Sequence, residues 1–262
     1  FVVKGLYFNP REGNKPPRLV ETASGLINSI GLQGIGVEAF CREVLPELAE
    51  LDTAIIVNVC GQEETEYARV AEYLSRHKGL AALELNISCP NVREGGRCPA
   101  QDPEATFRTV KKVKQVTSLP LITKLSPNVT EITTVALAAE EAGSQAVSLI
   151  NTLLAMAIDL ETRKPKLGNV MGGLSGPAIK PVAVRMVFQV AKAVKIPVIG
   201  MGGIFKAEDA LEFMMAGATA VQVGTANFVD PDVCPKIIDG LKIWAEKHQV
   251  ERISQIIGCL EV

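Results

Sequence analysis

No apolar run in this 262-residue chain approaches the roughly 20 residues that a membrane-spanning helix needs, so no bilayer anchor is expected. Basic charge is in no surplus: 27 Lys and Arg face 29 Asp and Glu, for a net charge of -2 and a pI near 5.9. Without excess positive charge to neutralise phosphates, a nucleic-acid partner is disfavoured. Histidine is scarce. His77 lies in the charged run Arg76-His77-Lys78 and His248 in a late polar stretch, so neither is expected to activate a catalytic cysteine. The six cysteines, at 41, 60, 89, 98, 234 and 259, include no Cys-x-x-Cys pair. Their spacing fits neither structural zinc nor an iron–sulfur cluster, so no metal site is expected. Free thiols in a reducing cytosol are the natural reading. Low-complexity segments and linkers are also missing, which leaves one domain spanning residues 1–262.

What is present is a soluble globular composition, 47% hydrophobic and 21% charged. Seven short β-branched or apolar runs, at 1–5, 53–59, 82–87, 119–125, 146–151, 197–201 and 220–223, alternate with segments of helical periodicity. The helical faces are carried by Tyr67, Val70, Ala71, Tyr73 and Leu74; by Phe107, Val110, Val113 and Val116; by Val182, Val184, Val187 and Val190; and by Ala210, Phe213 and Met214. Strands this apolar are covered on both sides, as parallel strands between helices are. Two folds qualify, the (β/α)8 barrel and the open doubly wound sheet. Polar residues decide between them, because barrels set chemistry at the ends of many strands and open sheets concentrate it at a switch point. Here nearly every run ends in a polar or glycine signal: Lys4, Asn58, Asn86 with Cys89, Lys124, Asn151-Thr152, Gly202-Gly203 and Gly224-Thr225. The expected fold is therefore an α/β (β/α)8 TIM barrel. Only seven strand runs are visible, so the first barrel strand is expected before Phe1. Two insertions, from 6 to about 35 and from 153 to 177, are long enough to be functional loops.

Gly202-Gly203 and Gly224-Thr225 follow the last two runs, where barrel folds bring bare backbone N–H groups to an anion. A phosphate-bearing ligand is the expectation. Lys4 and Lys124 each close an apolar run, and a buried ammonium there calls for an anion or a polar ligand atom. The amides of Asn28, Asn58, Asn86, Asn91 and Asn151 offer both donors and acceptors, which suits a planar heterocycle of alternating carbonyl and N–H groups. Any one of them alone would read as a turn or cap. Cys89 could be a metal ligand, a nucleophile, a proton acceptor or simply a small buried hydrophobe. The lack of further metal ligands and of a histidine partner leaves proton abstraction as the functional reading.

These motifs resemble a known family. Asn86-Ile87-Ser88-Cys89-Pro90-Asn91, Lys124-Leu125-Ser126-Pro127-Asn128, Asn151-Thr152, the stretch 159–177 and Gly200-Met201-Gly202-Gly203-Ile204 are similar to class 1 dihydroorotate dehydrogenases. The stretch 159–177 and Ser29-Ile30-Gly31-Leu32-Gln33 resemble the NAD-linked subclass 1B catalytic subunit in particular. The resemblance implies an FMN-containing barrel that oxidises dihydroorotate to orotate in pyrimidine synthesis. It implies that Cys89 takes the C5 proton while hydride leaves C6 for the flavin. Asn28, Asn86, Asn91, Asn151 and Thr152 would hold the pyrimidine ring and its carboxylate, with Lys4 beside substrate and flavin. Asn58, Asn86 and Lys124 would contact the flavin; Gly176, Gly202, Gly203, Gly224 and Thr225 would line its phosphate and ribityl sites. It further implies a homodimer joined by a partner subunit carrying FAD and a [2Fe–2S] cluster, which passes electrons to NAD. Against the family pattern, about 40 residues are expected upstream of Phe1, and Gly34 stands where Asn is common. The rival readings are a related flavoenzyme acting on dihydrouracil or dihydrothymine, and a flavin-free truncated barrel that serves as a scaffold.

Overall fold

The structure, a computed structural model, describes residues 1–88 and 99–261. The chain divides into two compact units: residues 1–14 with 30–147, and residues 15–29 with 148–262.

In the first unit the strands Val2–Leu6, Ile56–Val59, Ala82–Asn86 and Leu121–Lys124 lie side by side in chain order, all parallel. The sheet order continues to Ala146–Leu149, whose first two residues belong to this unit. Val57, Val59, Leu83, Leu85 and Leu121 are wholly buried, as expected of strands covered on both faces. The covering helices are Glu64–Leu74, Pro103–Lys114 and Ile132–Glu141.

Pro103–Lys114 shows how local chemistry sets a helix. The Asp102 side chain accepts from the N–H groups of Glu104 and Ala105, and Pro103 fills the first turn, where no backbone donor is needed. Lys111, Lys112 and Lys114 sit in the last turn, against the negative end of the helix dipole. Its buried stripe is Thr106, Thr109, Val110 and Val113, whereas Phe107, expected inside, is half-buried. Threonine can replace an apolar residue here because each hydroxyl is satisfied, Thr106 donating to the Pro99 carbonyl at 2.7 Å and Thr109 to that of Ala105 at 2.8 Å.

The second unit carries the rest of Ala146–Leu149, then the parallel pair Val198–Met201 and Ala220–Gln222, with helices Lys180–Ala193, Ala207–Met215 and Val233–Lys247. All seven expected strand runs are thus occupied by strands of one parallel sheet, the architecture of an α/β barrel. The insertions expected as loops hold strands of their own. Leu19–Thr22 and Gly25–Asn28 form a hairpin about Ala23-Ser24, and Met171–Ser175 lies between Gly25–Asn28 and Leu153–Met156 in a four-stranded antiparallel sheet. Short, half-exposed strands of this kind give a weak apolar signal, and close approach of the chains depends on glycine. A Cβ at Gly25 would fall 2.1 Å from the Ser175 carbonyl oxygen, and one at Gly172 would fall 2.5 Å from that of Asn28. No helix among the described residues is long and apolar enough to cross a membrane.

Candidate active site

In the first unit the strand ends carry a continuous polar row. Asn58 and Glu84 are paired across neighbouring strands, as are Asn86 and Lys124. Ser88 Oγ donates to Asn86 Oδ1 at 3.0 Å, Asn86 Nδ2 donates to Asn58 Oδ1 at 3.3 Å, and Asn58 Nδ2 donates to Glu84 Oε1 at 2.7 Å. Lys124 Nζ stands 3.8 Å from the same Glu84 oxygen, an ion pair with one partner wholly buried and the other 19% exposed. Cys60 Sγ adds a weak donor to Asn58 Oδ1 at 3.6 Å. The backbone is held from behind: the Tyr67 hydroxyl, on helix Glu64–Leu74, donates to the Asn86 carbonyl at 2.8 Å. Polar groups buried this deeply are costly unless paired, and the row pairs them with one another.

The structure therefore brings Asn58, Asn86 and Lys124 together, and adds Glu84, which sequence reasoning missed. Its signal was a carboxylate in the middle of Ala82-Leu83-Glu84-Leu85-Asn86, two residues before Asn86 and so on the same face of the strand. The burial expected of Lys4 is corrected. The expectation was a buried ammonium closing a strand, but Lys4 is exposed and lies mid-strand, because Gly5 and Leu6 continue the pairing through a register shift between Val3 and Leu6. Cys89 and Asn91 lie outside the described residues. Gly34 exchanges backbone hydrogen bonds with Arg11 at 2.8 and 3.0 Å, and a Cβ there would meet only the Gly5 carbonyl oxygen, at 3.7 Å. The loop thus keeps its pairing without a side chain at position 34 and has room for one.

In the second unit, Asn28, Asn151 and Thr152 gather beside the antiparallel sheet. Asn28 Nδ2 donates to the Gly173 carbonyl at 3.4 Å, Asn151 Oδ1 accepts from the Thr152 N–H at 2.8 Å, and a Cβ on Gly173 would fall 2.0 Å from Thr152 Oγ1. Gly173 is thus flanked by both side chains, a role that a glycine in a strand advertises only through its missing Cβ. The same unit holds the glycine signals. Gly176, at φ +94°, precedes the turn into helix Lys180–Ala193, and Gly203, at φ +77°, lies against it, where a Cβ would meet the Gly176 carbonyl oxygen at 2.8 Å. Gly202 also has positive φ, and a Cβ at Gly224 would meet open space. Thr225 Oγ1 donates to Ser175 Oγ at 2.8 Å. Positive-φ glycines, two hydroxyls and a helix start make a cradle of small groups suited to an anion. Lys180 is turned to its own partners, Asp209 at 2.8 Å and Glu212 at 2.6 Å. Burial works against its ammonium, but these carboxylates outweigh that and raise its pKa.

A family model described as dihydroorotate dehydrogenase matches residues 1–244. Among curated proteins, the "Dihydroorotate dehydrogenase B (NAD(+)), catalytic subunit" of Pelobacter propionicus is 53% identical over 261 residues, covering all of this chain and 86% of the relative. The proteins of that name from Trichlorobacter lovleyi and Bacteroides thetaiotaomicron are 54% and 51% identical with the same coverage. Among solved structures, DHODH from Eimeria tenella in complex with ferulenol superposes with a TM-score of 0.81 over 97% of this chain and 77% of that one. At 21% identity that likeness speaks to the fold, an α/β TIM barrel. With the family model and full-length relatives in agreement, the chain belongs to the dihydroorotate dehydrogenase family.

Proposed function

We propose that this chain is an FMN-dependent catalytic subunit that oxidises dihydroorotate to orotate. The observation that carries the reading is 53% identity to catalytic subunits of that name over the whole chain. The polar row and the glycine cradle suit the ligands it requires. FMN is a planar, polar heterocycle ending in a phosphate. The amides of Asn58 and Asn86 and the Lys124 ammonium suit its ring, while Gly176, Gly202, Gly203, Gly224 and Thr225 suit its phosphate and ribityl chain.

Forming the C5=C6 double bond requires loss of a proton from C5 and a hydride from C6. When bound, FMN supplies the hydride acceptor. Cys89 takes the C5 proton as its thiolate, the form of cysteine that can act as a base. Ser88, which precedes it in the chain, is tied through its hydroxyl to Asn86 Oδ1. Asn28, Asn86, Asn91, Asn151 and Thr152 orient the pyrimidine and its carboxylate, and Lys4 adds positive charge for both ligands. A cytosolic partner subunit carrying FAD and a [2Fe–2S] cluster would pass the electrons on to NAD, in a heterotetramer built on a homodimer of this chain.

Cys89→Ser should lower dihydroorotate oxidation at neutral pH by roughly 10²–10⁴-fold, because a hydroxyl is a far weaker acid than a thiol. Full retention of the rate, or purified protein without flavin absorbance, would show the reading to be wrong. Comparing dihydroorotate with dihydrouracil tests the substrate, since the carboxylate should be required for turnover.

A further inference from the structure

Glu84 is a wholly buried carboxylate in the middle of the polar row. A carboxamide can point either way, with donor and acceptor ends of nearly equal size. A carboxylate only accepts. With Glu84 Oε1 2.7 Å from Asn58, the amide must turn Nδ2 toward it, and its Oδ1 then faces Asn86. Asn86 must in turn present Nδ2 to Asn58, leaving its Oδ1 to accept from Ser88. Each direction follows from the one before, and the first is set where Asn58 meets Glu84. At the other end the same oxygen faces the Lys124 ammonium at 3.8 Å, so the carboxylate also offsets the one positive charge in the row.

We propose that Glu84 is a positioning residue of the cofactor site: it fixes the donor and acceptor directions of Asn58 and Asn86 and balances the charge of Lys124. This rests on the reading that these three residues meet FMN. Glu84→Gln keeps the size but removes the charge and lets the side chain donate as well as accept. The Asn58 direction is then no longer dictated, and the Lys124 charge is no longer balanced.

The test uses the complete protein, wild type and Glu84→Gln, with FMN binding followed by fluorescence quenching and the bound-flavin potential by spectroelectrochemistry. The variant should bind FMN about tenfold more weakly, in keeping with loss of a charge-assisted hydrogen bond. Its flavin potential should move in the positive direction, because an unbalanced ammonium favours the electron-rich form. The rate of flavin reduction should fall, and KM for dihydroorotate should rise with it, because Asn86 also orients the pyrimidine. A merely structural glutamate would lower thermal stability and leave the potential where it was. In wild-type protein labelled with ¹⁵N-asparagine, one Asn58 side-chain N–H should be shifted downfield and slow to exchange, a measurement that stands even if the variant does not fold. Wild-type potential and affinity in Glu84→Gln, or a fast-exchanging Asn58 amide in the wild type, would overturn the proposal. Wild type that binds no FMN would instead overturn the functional reading beneath it.

Discussion

Burial pushes the Cys41 thiol up to about 11, whereas Cys259 lies exposed near the C-terminus. The thiolate is the reactive form, so Cys41 should resist alkylation in the native protein at pH 8 while Cys259 reacts. Mass spectrometry of iodoacetamide-treated protein checks this, and early modification of Cys41 would contradict the packing described for it. Gly34→Asn should leave stability within about 0.5 kcal/mol and activity nearly unchanged, since the added Cβ meets only ordinary contacts. At this scale the sequence was legible where chemistry coincided with a strand end. Asn58, Asn86 and Lys124 were found because each stands at or next to the close of an apolar run. Glu84 was not, because a charge in mid-strand looks like noise until the pairing register sets it opposite Asn58. The burial of Lys4 was misread for the converse reason: the apolar run reads as ending there, yet Gly5 and Leu6 are the buried part of that strand.

Helix Ala207–Met215 begins under the control of one side chain. Asp209 accepts from the N–H groups of Phe205 and Lys206 at 2.9 and 3.1 Å and from Lys180 at 2.8 Å, so it caps its own helix and ties it to Lys180–Ala193. Burial opposes its charge, but the Lys180 ammonium and these backbone donors prevail and hold the carboxyl below its ordinary range. Because the folded pKa is depressed, the stabilisation is complete above the unfolded value of about 3.9 and is lost as pH falls through the folded value. Asp209→Asn should therefore cost about 1–3 kcal/mol at pH 7 and progressively less as pH drops below 4, as read from urea unfolding at each pH. On the antiparallel sheet, Gly173→Ala should drive Thr152 aside and raise KM for dihydroorotate, a change that steady-state kinetics would detect. The long helices and parallel strands were legible because their periodicity is strong. The four-stranded sheet was not, since Leu19–Thr22 and Leu153–Met156 hold only half-buried and exposed residues, and Gly25–Asn28 and Met171–Ser175 carry glycines that read as loop.

For the molecule as a whole, binding of FMN to the folded state alone should raise the unfolding free energy by about 2.7 kcal/mol at a hundredfold excess over Kd. A thermal shift that grows with the logarithm of FMN concentration is the expected outcome, and a flat response would contradict cofactor binding. Folding order follows from the chain's path. The hairpin Leu19–Thr22 with Gly25–Asn28 belongs to the second unit, yet its sheet neighbour Met171–Ser175 is about 145 residues further on. At a synthesis rate of about 5–20 residues per second, the hairpin leaves the ribosome roughly 7–30 seconds before that neighbour is made. For that interval the polar backbone along Gly25–Asn28 has no third strand to pair with, so the nascent hairpin presents an open strand edge of the kind that invites wrong pairing.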